Sequence, residues 1–426
     1  MNKTYFTIEP TESGFTDQLM QFNAFYKLGL HLGLHYLHTP FRSPRSNASD
    51  LPNAQVTRSG LLPEQDQGPW SQSPTSGGEA VSDAHAFIGI NAHFLGKEPT
   101  ILSGSESMHS ETVNLSDQDL TGLSDETFEA LADHVEGIVR QASARTQAEA
   151  ERQLLIKFRL SGPRKKIFSL IQENLRTFPD GLDLPSIYSE ARIRSPMASL
   201  YRNRCLKILL HIRQGDTGVL QTPWNTWMPV WSFRKDRLRE YDSFARIGSA
   251  ELLFDVAEYH AFLDGFLDRL GHSERSVLVF SDGASRSFKI VESNLDKLAR
   301  TPEQIESFRH SRADYDQRQF SCFSRSGDVG IHVGEDPLLL CQLIHSAIEA
   351  DIIIVSNQQR MIPKLVANLC GEKAPAVIVL YKGEVPSNSD VARDDQKRFI
   401  YVDIHNPDFG EIIRRLGDQA GTSPAH

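Results

Sequence analysis

Residues 206 to 218 read "LKILLHIRQGDTG", and the order of side-chain types in this stretch decides the fold class. Residues 207–212 form a short, branched-apolar run, the pattern of a strand covered on both faces. The turn after it is polar and carries Arg213, Gly215 and Asp216. The same alternation continues toward the C-terminus. Strands are expected at 276–280, 352–355 and 376–380, and helices at 250–270, 285–298, 337–350 and one ending near Leu369. Strands alternating with helices predict parallel β-α-β winding, hence an α/β fold. In open sheets of this kind ligands bind at the carboxyl ends of the strands. Three such ends, "HIRQGD", "VLVFSDGAS" and "DIIIVSNQQR", finish in short polar residues.

The N-terminal half is read from the same periodicities. "TDQLMQFNAFYKLGLHLGLHYLHTPF" predicts a helix from about 17 to 38, "HAFIGI" a short strand from 85, and two further helices are expected at 125–158 and 164–178. Residues 42–83 are rich in Ser, Pro, Gly and Asn and have little to bury, so they read as a long mobile loop. A domain boundary is expected near 195 to 205, giving one domain over 1–195 and a second over 196–426.

Composition narrows the function. The chain has 426 residues with a formal net charge of -10, which disfavours a nucleic-acid partner because phosphate-backbone binding needs clustered cations. A single basic site for a small phosphate is not disfavoured. Four cysteines without metal-ligand spacing read as reduced thiols. No segment approaches the roughly 18 apolar residues of a membrane span, and the start of the chain has no apolar leader, so a cytoplasmic protein is expected.

Backbone N–H groups and hydroxyls at a strand-to-helix junction make an anion site, and an Arg adds charge in a forked geometry suited to a diphosphate. The three polar strand ends together describe a nucleotide-diphosphate cradle. Taken singly, each has a plainer reading: Arg213 and Asp216 as a loop ion pair, Ser281-Asp282-Gly283 as turn chemistry, Asn357 as a helix cap.

These residues resemble the fucosyltransferase superfamily that includes α1,2-, α1,6- and protein O-fucosyltransferases. "HIRQGD" is similar to its pattern His-[Ile/Val/Leu]-Arg-x-[Gly/Thr]-Asp, "GFTDQLMQF" to its Gly-x-Gly-Asn-Gln-Leu segment, and "DPLLLCQLIHSAIEADIIIVSNQQRMIPKLVANL" to the block that closes its nucleotide site. "VLVFSDGASRSF" sits where that family has a strand ending in Ser/Thr-Asp, while residues 40–195 carry no such match. The resemblance implies a GT-B architecture, two Rossmann-like domains facing a cleft, with GDP-fucose held by the C-terminal one. It implies an inverting transfer without a metal or other cofactor. Residue by residue, Arg213 would contact the diphosphate, Asp216 would orient Arg213, and Ser356, Asn357 and Gln358 would add phosphate donors. Asp336 would read the guanine edge and Asp282 would lie near the nucleoside. Asp17 replaces the family's Asn, so it is either a general base for the acceptor hydroxyl or the cap of its helix. Gln214 stands where α1,6-enzymes often carry a second Arg, which counts against that subclass. A non-catalytic GDP-sugar-binding module, or a transferase of another GDP-sugar, remains the alternative.

Three further groups have competing readings. His31, His35 and His38 share a face if one helix holds them; packing outweighs zinc there, because no carboxylate or Cys accompanies them. The Asp-x-Asp pairs starting at Asp117 and Asp314 follow no buried strand and read as chance. Trp224 and Trp227, with Trp231, lie just after Arg213; they stack on an acceptor sugar or plug a local hydrophobic gap.

Overall fold

The computed structural model describes residues 4–9, 15–38, 87–95, 109–116, 127–148, 154–160, 182–215, 218–230, 239–251, 254–271, 274–298, 300–325, 329–356, 361–370, 373–383 and 398–421, with single positions 119, 167, 170, 171 and 174. The expected loop at 42–83 lies outside them, as does most of the expected helix at 164–178. The described residues fall into two compact units, the first ending at Pro196 and the second beginning at Met197. Both are α/β, each built on a parallel sheet. Among the described residues no helix is long and apolar enough to cross a membrane.

The first unit has four strands, β1 (Thr4–Ile8), β2 (His35–Tyr36), β3 (His109–Leu115) and β4 (Leu154–Leu160), ordered β2-β1-β4-β3 and all parallel. Its helices are α1 (Phe15–His31), α2 (Ile90–Leu95), α3 (Phe128–Ala148) and α4 (Leu184–Arg194). Three expectations are corrected here. The helix expected to reach His38 stops at His31, because Gly33 turns the chain at a φ of 69° and the next residues pair with β1 as β2. His31, His35 and His38 therefore share no helical face; their rings pack on Phe128, Tyr5 and Phe94. "HAFIGI" is helical where described, leading into α2; Phe87, Ile88 and Ile90 are all fully buried, and a short apolar run buried all round has no period that separates strand from helix. The helix expected over 125–158 is α3 followed by β4, whose residues Leu154, Leu155, Ile156 and Phe158 are core.

The second unit holds a six-stranded parallel sheet: β5 (Leu206–Ile212), β8 (Arg275–Ser281), β9 (Val329–Val333), β10 (Ile352–Ser356), β11 (Ala376–Tyr381) and β12 (Phe399–Asp403), in the order β12-β11-β10-β5-β8-β9. A small antiparallel hairpin, β6 (Val219–Gln221) with β7 (Trp227–Pro229), branches off after β5. The helices are α5 (Phe244–Glu251), α6 (Val256–Leu270), α7 (Ser285–Glu292), α8 (Pro302–Ser311), α9 (Tyr315–Phe320), α10 (Pro337–Glu349), α11 (Met361–Cys370) and α12 (Phe409–Gly421). The expected helix at 250–270 is thus two, split where Asp255 and Glu258 form a capping box that starts α6. One face of the sheet, with Ile208, Leu210, Ile354 and Ile378, packs on α6 and α12. The other, with Leu209, Ile353, Val355 and Val379, packs on α10 and α11. Cover on both faces explains why these strands are apolar throughout.

Candidate nucleotide site

Taken in chain order, the strands of the second unit run third, second, first, fourth, fifth, sixth across the sheet. The winding therefore reverses between β5 and β10. Connections leave such a point in opposite directions, opening the crevice where open α/β sheets bind ligands. Arg213 directly follows β5 and Ser356 ends β10, on either side of the reversal.

Arg213 is exposed, and the turn behind it is fixed by backbone-directed hydrogen bonds. The Gln214 N–H donates to Asp282 Oδ1 at 2.6 Å and the Gly215 N–H to the Gly283 carbonyl at 2.9 Å. The Ser287 hydroxyl, on α7, donates to the Gly215 carbonyl. A Cβ on Gly215, whose φ is 25°, would fall on the Asp282 carboxylate, so the turn requires glycine. The loop after β8 is pinned in its own right: Gly283, with φ of 65°, donates its N–H to Ser281 Oγ at 3.1 Å, and the Ala284 N–H reaches Asp316 Oδ1 at 2.9 Å. Burial holds the Asp316 carboxyl above its ordinary pKa, partly offset by that hydrogen bond.

Beneath this turn lies a row of rings. His211 registers with Phe280, and Phe280 with His332, across β5, β8 and β9. The His332 ring stacks on Phe280 with centroids 4.7 Å apart. Burial, aided by the Arg213 charge, pushes His211 down to about 3, and burial alone pushes His332 to about 4. Both are neutral at neutral pH. Among the described residues, buried His211 Nδ1 has no hydrogen-bond partner.

The other expected site residues sit as follows. Asp282 is tied to the Gln214 backbone, beside the Arg213 turn. Ser356 is buried and shares a hydrogen bond with the Tyr259 hydroxyl of α6. Asp336 is exposed and caps α10, its Oδ1 accepting the Leu338 N–H at 2.8 Å. Trp224 is engaged on several sides: the Arg300 guanidinium lies 4.7 Å from its ring centre, Phe308 6.0 Å away, and its Nε1 donates to Glu240 at 3.4 Å. Trp227 sits in β7 with its ring 5.2 Å from that of Phe244. Asp17 lies in the first turn of α1, in the first unit. Asp216, Asn357, Gln358 and Trp231 fall outside the described residues.

Nothing in the sequence singles out Ser287, and Asp316, read there as half of a chance Asp-x-Asp pair, is instead a strut of the loop after β8. Their partners lie up to 72 residues away, and a helical Ser carries no mark of its target. Nor does the sequence single out a charged cluster at the same sheet edge. Lys382, after β11, is buried with Nζ 2.8 Å from Glu258 Oε2, and His405, after β12, lies 3.0 Å from Glu258 Oε1. Burial raises the Glu258 pKa, but hydrogen bonds from Lys382, His405 and the Asp255 N–H outweigh it and hold the carboxyl below its usual value.

No protein-family model matches the chain, and no curated protein matches it. Among solved structures it is similar to that of a mutant of Arabidopsis thaliana FUT1 in complex with GDP, at 11% identity and a TM-score of 0.35, over 90% of this chain and 71% of that one. A likeness of that depth leaves ligand and reaction to be read from the residues.

Proposed function

We propose that the second unit binds a GDP-sugar and that the protein is a metal-independent, inverting glycosyltransferase moving fucose from GDP-fucose to a hydroxyl of a glycan or protein. The carrying observation is Arg213: an exposed guanidinium on a pinned turn at the end of the central strand, beside the reversal of winding. Two Rossmann-like units in one chain are what a GT-B transferase needs, one for the donor and one for the acceptor.

In this reading the acceptor oxygen forms its bond to the anomeric carbon as the bond from that carbon to the β-phosphate oxygen breaks. The electron pair leaves with GDP, and the forked donors of Arg213 take up the charge that develops there. Asp17 accepts the proton of the attacking hydroxyl. Asn357, Gln358 and, on exchanging its bond to Tyr259, the Ser356 hydroxyl donate to the phosphates from the β10 end, Asp336 reads the guanine edge and Trp224 and Trp227 border the acceptor. Asp17, standing where the resembling family carries Asn, favours one second reading, a binding module that retains the cradle without turnover.

Incubating the protein with GDP-fucose and a panel of acceptors, in the presence of EDTA, tests the proposal. It predicts acceptor-dependent release of GDP that EDTA does not diminish. Tight GDP binding without release on any acceptor selects the module, and a strict need for a divalent cation overturns the metal-independent mechanism.

A further inference from the structure

We infer that Ser287 and Asp282 are positioning residues for Arg213, gripping the backbone of the Gln214–Gly215 turn from two sides; the inference rests on the reading that Arg213 binds the donor's diphosphate. A Ser within a helix ordinarily returns its hydroxyl to a carbonyl of the preceding turn or leaves it in water. Ser287 does neither. It is 1% exposed, shielded from solvent, and its hydroxyl donates across to the Gly215 carbonyl. Asp282 takes the neighbouring Gln214 N–H at 2.6 Å, and the Gly215 N–H to the Gly283 carbonyl, at 2.9 Å, adds a third strut.

The peptide planes on either side of Gln214 are thereby fixed to the loop after β8, through Asp282 and the Gly283 carbonyl, and the plane that follows Gly215 is fixed to α7 through Ser287. Arg213 leaves the chain immediately before them, so their orientation sets the direction in which its long side chain starts. A guanidinium has many rotamers, and a forked contact to phosphate needs both donors in place at once. Misplacing such a group by about 1 Å can cost on the order of 10²-fold in rate. Toward the Gln214 N–H, Asp282 supplies one carboxylate oxygen, an acceptor that an amide oxygen can replace. The absence of a side-chain cap on α7, whose N-cap is Ala284, fits a helix start that serves this loop junction.

Calorimetric titration of GDP into wild type, Ser287→Ala, Arg213→Ala and the double variant tests the inference. Ser287→Ala should weaken GDP binding about tenfold in the wild-type background and less than about twofold when Arg213 is already Ala, the non-additivity expected of coupled residues. Asp282→Asn, which keeps an oxygen for the Gln214 N–H, should retain most of the affinity, whereas Asp282→Ala should lose it as Ser287→Ala does. The Asp282 pair decides the matter if Ser287→Ala fails to fold. Equal losses from Ser287→Ala in both backgrounds, or equal losses from Asp282→Asn and Asp282→Ala, overturn the inference while leaving the functional reading standing. A wild-type protein with no affinity for GDP overturns both.

Discussion

The two halves of the carboxyl edge in the six-stranded sheet are stabilised by different means. At the β5 and β8 ends, short side chains and glycines bind backbone groups: Asp282 to Gln214, Ser287 to Gly215, Asp316 to Ala284. Arg213 is exposed beside them. At the β11 and β12 ends the charged groups answer one another, with Lys382 and His405 both on Glu258 and the Lys382 Nζ 5.0 Å from the Phe254 ring. On the proposed reading the first half presents a charge to a ligand, whereas in the second the charged groups pair with one another. Substitution should cost binding in the first and stability in the second.

The largest effect on folding is expected in the second half. Lys382→Met removes the ammonium while keeping most of the volume. It should destabilise by roughly 2 kcal/mol, below the roughly 3–5 of a fully buried broken pair. The discount follows from Glu258, whose side chain is 26% exposed and which retains His405. Denaturant titration measures the loss, and GDP affinity should stay within about twofold. A matching fall in GDP affinity would erase the contrast between the halves and make Lys382 part of the site.

A smaller effect sharpens the description of the first half. His211 and His332 are held neutral in the fold, with pKa values of about 3 and about 4. Unfolded, each takes up a proton near pH 6.5, so protonation favours the unfolded chain. Stability should be independent of these groups above that pH and decline as pH falls below it, by about 1 kcal/mol per histidine at pH 5.5. His332→Phe, which preserves a ring against Phe280, should remove its share of the slope between pH 7 and 5.5. An unchanged slope in that variant would show that the row beneath the turn is not held neutral by burial.

The contrast between the halves also separates what the sequence states from what it conceals. Strands buried on both faces write themselves as runs such as "IIIVS" and "AVIVLY", so β5, β8, β10 and β11 and the place of Arg213 at a strand's carboxyl end are legible, whereas β9, β12 and the strand order are not. In the first unit β3 reads "HSETVNL", with only Val113 and Leu115 buried, and nothing in it distinguishes a strand from a polar connection. The pattern "HLGLHYLH" continues the period of α1 past its end, and a single residue, Gly33 in the left-handed region, breaks it. The struts of the Arg213 turn are hidden for another reason. Ser287 and Asp316 acquire their role only when distant segments meet, and neither residue type signals its partner.

Whether Arg213 faces a diphosphate is read by calorimetric titration of GDP into Arg213→Ala and Arg213→Lys. Arg213→Ala should weaken GDP binding by about 10²-fold while the melting temperature stays close to that of wild type, because the exposed side chain leaves β5 packed as before. Arg213→Lys should fall between the two, restoring charge without the forked donors. GDP affinity unchanged in Arg213→Ala would contradict that contact and reduce Arg213 to a surface residue of its loop.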